Sequence, residues 1–285
     1  MIPSIPQNPL LKTVYRFYVA LFFIYLAAPL VVVSVFAFND SLFPSLPWNG
    51  FTWDWFFGDA APRIGLFHDR PLIKAIGVSV FVAFCVTILS VAIGTSNAFL
   101  FERESFRFKN FAYVLMLMPL VVPGIILGIS ILIMTNGVAN RTYDSFGVEI
   151  EALRPGLILV VLGQFSFIAT IATLVISARL RKFDVGLEEA ALNLGATRWV
   201  AVRTVTLPYL APAMIGAGIV AFLMSFENFN TTLMLVGSDA PLTITLFTRL
   251  REGSTPVLNA ISLMLMIASA VLALIAISLQ RDRSE

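Results

Sequence analysis

Six long apolar runs constrain this chain more than any other feature of it. They occupy residues 15–38, 72–99, 111–135, 155–177, 210–236 and 257–279. About 20 mostly apolar residues in helical form match the hydrocarbon thickness of a bilayer. A helix also satisfies its own backbone hydrogen bonds, which lipid cannot do for it. The expectation is an all-α polytopic membrane protein with six transmembrane helices in a single domain, 1–285. Composition agrees: 58% of the residues are hydrophobic and 13% charged, against roughly 25% charged in a typical soluble domain.

Several function classes drop out. A net charge of +2 without a basic run gives no footprint for nucleic acid. The lone cysteine, Cys85, sits in an apolar run, so no internal disulfide and no cysteine-based metal site are expected. The lone histidine, His68, lies outside the runs and reads as a loop residue. An intramembrane hydrolase would need a Ser/His pair or two aspartates within spans, and the sequence offers neither. A phosphate-binding P-loop requires lysine after a glycine-rich turn and before Ser or Thr. Of Lys12, Lys74, Lys109 and Lys182, only Lys12 precedes such a residue, and no glycine stands before it. The chain is therefore expected to bind no cofactor or metal itself and to depend on another protein for any ATP-driven step. The alternative is a secondary transporter driven by an ion gradient. Such carriers usually hold several intramembrane acids or paired repeats, where this chain has one candidate acid.

Basic residues suggest the orientation. With both termini inside, the inner segments hold Lys12, Arg16, Arg103, Arg107, Lys109, Arg179, Arg181, Lys182, Arg198, Arg203, Arg281 and Arg283, which is 12 of the 19 Lys plus Arg. That asymmetry follows the positive-inside rule. Lys12 and Arg16 before the first run raise the question of a secretory leader. The run is longer than a leader's core and no small-x-small cleavage site follows, so a retained anchor is expected. The outer segment 39–71 carries Trp48, Trp53, Trp55, Phe56 and Phe57. These suit either an interfacial aromatic belt with a short surface helix or a loop packed on the bundle.

Within the runs, small and weakly polar residues recur at helical spacing: Ser79, Ala83, Thr87, Ser90 and Gly94; Ser166, Thr170, Thr173 and Ser177; Ala213, Ala217 and Ala221. Such stripes let helices approach closely in lipid, or they line a watery path. Pro119, Pro123, Gly124 and Gly128 predict a kink or break in the third run. A break at membrane depth needs cover from protein or water, which favours an interior position. Glu227 is the one carboxylate inside a run. Placing a charge there costs about 2.5–3.5 kcal/mol on insertion scales. Glu227, Asn230 and Thr231 fall at i, i+3, i+4, one face of a helix. Two readings stay open. The group, with Asn228, Gln164 and Ser166, lies along a solute path attractive to a cation, or it is a structural hydrogen-bonding cluster.

The inner loop 178–209 is the remaining constellation. Leu187, Ala190, Ala191 and Leu194 make one apolar face of a short helix, with Glu188, Glu189 and Asn193 off that face. Gly195 suits a helix stop. Thr197 suits the cap of a second helix holding Trp199, Val200, Val202 and Arg203, and Pro208 marks entry to the fifth run. Two short helices meeting at a glycine form a protrusion that fits a groove on a partner, its carboxylates pairing with basic residues there. On physical grounds alone it is equally an ordinary amphipathic surface helix.

The wording of this loop resembles a known signature. Glu189-Ala190-Ala191, three residues, Gly195, nine residues, Val205, one residue, Leu207-Pro208 is similar to the motif of permease subunits of binding-protein-dependent ABC importers. Val205 replaces the usual isoleucine. The resemblance covers nearly the whole chain. Asn39, the aromatics at 51–57 and the runs 119–128 and 225–229 look most like the polyamine branch, although Glu227-Asn228 stands where that branch often has two acids. The resemblance implies the type I importer permease fold with a cytoplasmic coupling helix. It also implies a bacterial inner-membrane location, a second and non-identical permease, two cytoplasmic ATPases carrying ATP and Mg, and an external solute-binding protein. Glu188, Glu189, Ala190, Ala191, Leu194, Gly195, Leu207 and Pro208 would then couple to the ATPase.

Overall fold

The computed structural model describes residues 9–44, 46–253 and 255–281. Arg283, counted above among the inner charges, lies outside them. The chain divides into two compact units: the described parts of Met1–Arg70 with Arg249–Ala268, and of Pro71–Thr248 with Ser269–Glu285.

The first unit begins with helix α1, Pro9–Phe36. None of its most apolar stretch is buried against the rest of the chain. The chain then folds into a small module. Helix α2, Asp54–Phe57, precedes a two-stranded antiparallel sheet of β1, Asp59–Ala60, and β2, Arg63–Ile64. Asn39 is fully buried and ties the module together. Its Nδ2 donates to the Pro47 carbonyl, its Oδ1 accepts from Asn49 N, and its carbonyl accepts from the Trp55 indole at 2.8 Å. Arg63 pairs with Asp40 at 2.6 Å and Asp54 at 3.0 Å. Phe38 stacks on Phe51, and Trp53 and Phe56 pack against them edge-on or tilted. Trp55 and Phe56 are buried, whereas Trp48, Trp53 and Phe57 are exposed. The short helix is therefore present, and its aromatics divide between the module's core and its surface. His68 sits in the turn that follows, its N–H donating to the Gly65 carbonyl.

In the second unit most of α3, Arg70–Arg103, packs with α6, Leu157–Leu180, and α9, Leu207–Phe226. Val82 and Val86 meet Leu159, Val160, Ile168 and Ala221 in one apolar cluster, and Ala98 meets Ala172, Ile176, Leu210 and Ala217 in another. Half of the apolar stretch of α6 is buried, the largest share among the long helices. The small-residue stripes take the packing side of the alternative. Ser79, Ala83, Ser90, Thr170, Thr173, Ser177, Ala217 and Ala221 are all buried. A Cβ on Gly94 would lie 2.9 Å from Ala172 Cβ and 3.0 Å from Thr173 N, so glycine is what admits this contact.

The third run is broken, as its prolines predict. Helix α4, Lys109–Val121, ends, Val122 is extended, and α5, Gly124–Phe146, restarts from Pro123. A residue before proline is pushed out of the α region, and Leu127 N finds the Pro123 carbonyl at 3.0 Å. The fifth run departs from expectation. It is not one helix over 210–236: α9 stops at Phe226 and α10, Asn230–Leu235, follows after a break. Helix α11, Leu242–Glu252, has polar and apolar residues in balance and falls between the fifth and sixth runs. Helix α12 covers Val257–Arg281.

Among the described residues, five helical segments are long and apolar enough to cross a membrane: Leu10–Phe36, Arg70–Arg103, Gly124–Phe146, Leu157–Leu180 and Arg198–Phe226. Lys109–Val121 and Val257–Val271 are shorter apolar stretches.

Candidate functional site

The inner loop forms two short helices: α7, Gly186–Asn193, and α8, Arg198–Ala201. Helix α7 closes in a Schellman motif. Ala196 N donates to the Ala191 carbonyl at 3.1 Å and Gly195 N to the Leu192 carbonyl at 2.9 Å, satisfying the last carbonyls of the helix. The motif needs a left-handed residue, and Gly195 supplies it at φ +91°. Thr197 then caps α8 by accepting from Val200 N. The helix continues through a π turn, Val202–Thr206, straight into α9. Pro208 therefore lies inside a continuous helical run and does not begin it. Lacking an N–H, Pro208 cannot close the ordinary bond to Thr204, and wider turns accommodate such a gap.

The apolar face of α7 points outward. Leu187 is half exposed, Ala190 is exposed, and Leu194 is 90% exposed. The two carboxylates separate. Glu189 is exposed, as expected of a residue free to meet a partner. Glu188 departs from that expectation by turning inward. Its carboxylate accepts a fork from Arg103, at 3.2 and 3.3 Å, and a hydrogen bond from the buried Thr206 hydroxyl. The physical reason is local: Glu188 lies off the apolar face, on the side where α3 ends at Arg103. The neighbouring Arg181 pairs with Glu102 at 2.9 Å. That hydrogen bond, with the attraction of the Glu102 charge, raises the Arg181 pKa above its ordinary value.

The two helix breaks meet. A Cβ on Gly124 would approach Asn230 Cβ to 3.1 Å and Thr231 Oγ1 to 3.2 Å, and one on Gly128 would lie 2.9 Å from Met234 Cβ. Between them lies a cavity of 290 Å³ lined by Pro119, Val122, Gly124, Phe167, Asn228, Asn230 and Thr231 among others. Its polar edge is two asparagines and a threonine. Of the expected path residues, Asn228, Asn230 and Thr231 line it; Glu227, Gln164 and Ser166 do not.

Glu227 is exposed and caps the C-terminus of α9. The shared face of Glu227, Asn230 and Thr231 does not form, because the helix ends between the first and the other two. Asn228 explains why. Its Oδ1 accepts from Thr232 N at 3.2 Å and Thr232 Oγ1 at 3.0 Å, which satisfies a free donor in the first turn of α10. Gln164, 1% exposed, anchors this restart to α6. Its Nε2 donates to Thr232 Oγ1 at 2.8 Å, and its Oε1 accepts from the Ser225 hydroxyl. Ser166 bonds within its own helix, to the Gly163 carbonyl. Gln164 is thus a structural hub. In the sequence Ser225 and Thr232 are polar positions within an apolar run, and their pairing with Gln164 is not visible there.

Comparison with known proteins adds three findings. Residues 92–281 match the family described as binding-protein-dependent transport system inner membrane component. The chain is 28% identical over 271 residues to the putrescine transport system permease protein PotI of Escherichia coli K12, covering 94% of this chain and 91% of that one. It is 27% identical over 255 residues to the spermidine/putrescine transport system permease protein PotC of Haemophilus influenzae, covering 89% and 90%. The fold is similar to a chain in the crystal structure of a bacterial ABC transporter involved in the import of the acidic polysaccharide alginate. The TM-score is 0.76 at 18% identity, over 97% of this chain and 96% of the other.

Proposed function

The chain belongs to the family of binding-protein-dependent transport system inner membrane components, the permease subunits of ABC importers, and from that premise we propose that it forms half of an ATP-driven path for a polyamine. It crosses the bacterial inner membrane six times, with both termini in the cytoplasm and a second, non-identical permease beside it. ATP and Mg are held by two cytoplasmic ATPases, and a solute-binding protein delivers cargo from outside.

One observation carries the mechanism. Helix α7 presents its apolar face, Leu187, Ala190 and Leu194, to solvent, with Ala191 half-buried and Glu189 alongside. A cytoplasmic helix has no lipid to cover such a face. Glu189, Ala190, Ala191 and Leu194 seat in a groove of the ATPase, and Gly195 fixes the end of the helix. Leu207 and Pro208 stand where the helical run from α8 becomes α9, so rotation of the coupling helix passes into the spans. Glu188 serves the same segment from within.

The solute passes where the two broken helices meet. Freed backbone groups and the side chains of Asn228, Asn230 and Thr231 supply hydrogen-bond partners there. Glu227, exposed beside the break, supplies the negative charge that favours a cation. Gln164 and Ser166 act behind this lining. The polyamine class rests on the likeness to PotI and PotC.

The test is reconstitution. The chain is purified with a partner permease, an ATPase and a solute-binding protein and placed in proteoliposomes. Putrescine uptake is expected to require both ATP and the binding protein. Uptake driven by an ion gradient without nucleotide would overturn the reading.

A further inference from the structure

The last two residues of α3 grip the inner loop. Glu102 takes Arg181, just beyond α6, while Arg103 takes Glu188 of α7 from 85 positions away. The Arg103–Glu188 contact is two-pronged, and the side chains are only 24% and 16% exposed. The Arg103 guanidinium also stands 5.4 Å above the Phe183 ring. Glu188 is held from a third direction by Thr206, in the π turn that leads to α9. A guanidinium–carboxylate fork fixes direction as well as distance. This cluster therefore joins α7, α3 and the base of α9.

We infer that Arg103 is a positioning residue that transmits movement of α7 to α3, with Glu188 as its internal partner and not a contact of the ATPase. The inference rests on the docking of an ATPase at α7 proposed above. Two acidic neighbours then divide the work, Glu189 outward and Glu188 inward. Beyond Arg103 the connection is stiff. Nine residues back, about 13.5 Å along a helix, Gly94 holds α3 against Ala172 and Thr173 of α6 so closely that no Cβ fits. Displacement of α7 thus reaches α3 and α6 together, in addition to the route through α8 into α9.

The experiment uses the complete importer in proteoliposomes, with putrescine and its binding protein. It reads three quantities: ATPase retained on purification, ATP hydrolysed, and putrescine transported per ATP. Arg103→Gln is expected to retain the ATPase and to transport at least tenfold less per ATP. Glu188→Gln, which keeps an acceptor for Thr206, is expected to lose less. The exchange Arg103→Glu with Glu188→Arg is expected to regain a third or more of the wild-type ratio. A normal ratio in Arg103→Gln overturns the inference, as does loss of the ATPase in step with uptake. Should that variant not accumulate, Arg103→Lys, which keeps the charge and loses the fork, is read by the same criteria. Leu194→Asp, on the outward face, tests the docking itself. If it keeps both ATPase and uptake, the docking reading fails whatever Arg103 does.

Discussion

Thr231 Oγ1 donates to the Gly124 carbonyl at 3.3 Å, across 107 positions of sequence. One residue stands at the first turn of α10 and the other at the first turn of α5. Each helix has just restarted after a break, so the two interruptions support each other. Break and partner form one structural unit, which is how irregular backbone becomes tolerable at membrane depth.

Gln164 is the anchor of that unit, and its removal has a defined cost. Gln164→Leu keeps the volume but leaves the buried Ser225 hydroxyl without its acceptor. The expected loss is about 1–3 kcal/mol, seen as a lower midpoint of thermal unfolding in detergent. Adding Ser225→Ala should return part of that loss, because the stranded donor is gone. If the double variant is no better than the single one, the pairing of Gln164 with Ser225 is not what stabilises the break.

Gly195 isolates backbone strain from steric clash. A Cβ there meets nothing within 4 Å, yet φ is +91°. Gly195→Ala should therefore cost about 1–2 kcal/mol through conformation alone, loosening the end of α7 and lowering ATP-driven uptake severalfold. Gly195→Asn should lose less, since asparagine tolerates the left-handed region. Equal uptake for glycine, alanine and asparagine would show that the Schellman ending has no part in coupling.

In the other unit, Asp69 takes a two-pronged contact from Arg249, with one bond at 2.8 Å. The hydrogen bond that Arg249 donates to Asp69 is the main cause of its raised pKa, with burial opposing it. A raised basic pKa keeps its stabilising effect at every pH below the unfolded value, and that effect fades only as pH rises through the folded one. The ordinary guanidinium value already lies well above pH 10 and the folded one is raised beyond it, so moving from neutrality to about pH 10 should leave Arg249 charged and the pair intact. Asp69→Asn should cost about 1–3 kcal/mol. This is less than the 3–5 of a fully buried pair, because a quarter of the Arg249 side chain is exposed. Limited proteolysis of 39–71 at pH 7 and pH 10, in both proteins, measures this. Faster cleavage of the parent at pH 10 through loss of this contact would contradict it.

What the sequence disclosed follows from which forces are local. Apolar runs announce spanning helices because solvent preference acts residue by residue. Pro123 announced the first break because its ring removes a donor wherever it stands. The ending at Gly195 was equally readable. The second break was not, since it depends on Asn228 bonding to Thr232 and on Gln164 reaching over from 68 positions away. Arg103 was visible only as a positive charge on the inner side. Its partnership with Glu188 exists because two helices end in the same place, which hydropathy and spacing do not report. The common face of Glu227, Asn230 and Thr231 failed for a related reason: it assumed a continuous helix, and α9 stops beside Glu227.

The module closed by Asn39, Trp55 and Arg63 is held by hydrogen bonds and ion pairs, and the sequence contains one cysteine, Cys85 in α3. Its assembly consequently asks nothing of thiol oxidases or disulfide shufflers, and reducing agents leave its architecture alone. The one native sulfhydryl sits midway along the apolar helix α3, so a spectroscopist who wants a label elsewhere has a single rival thiol to engineer away.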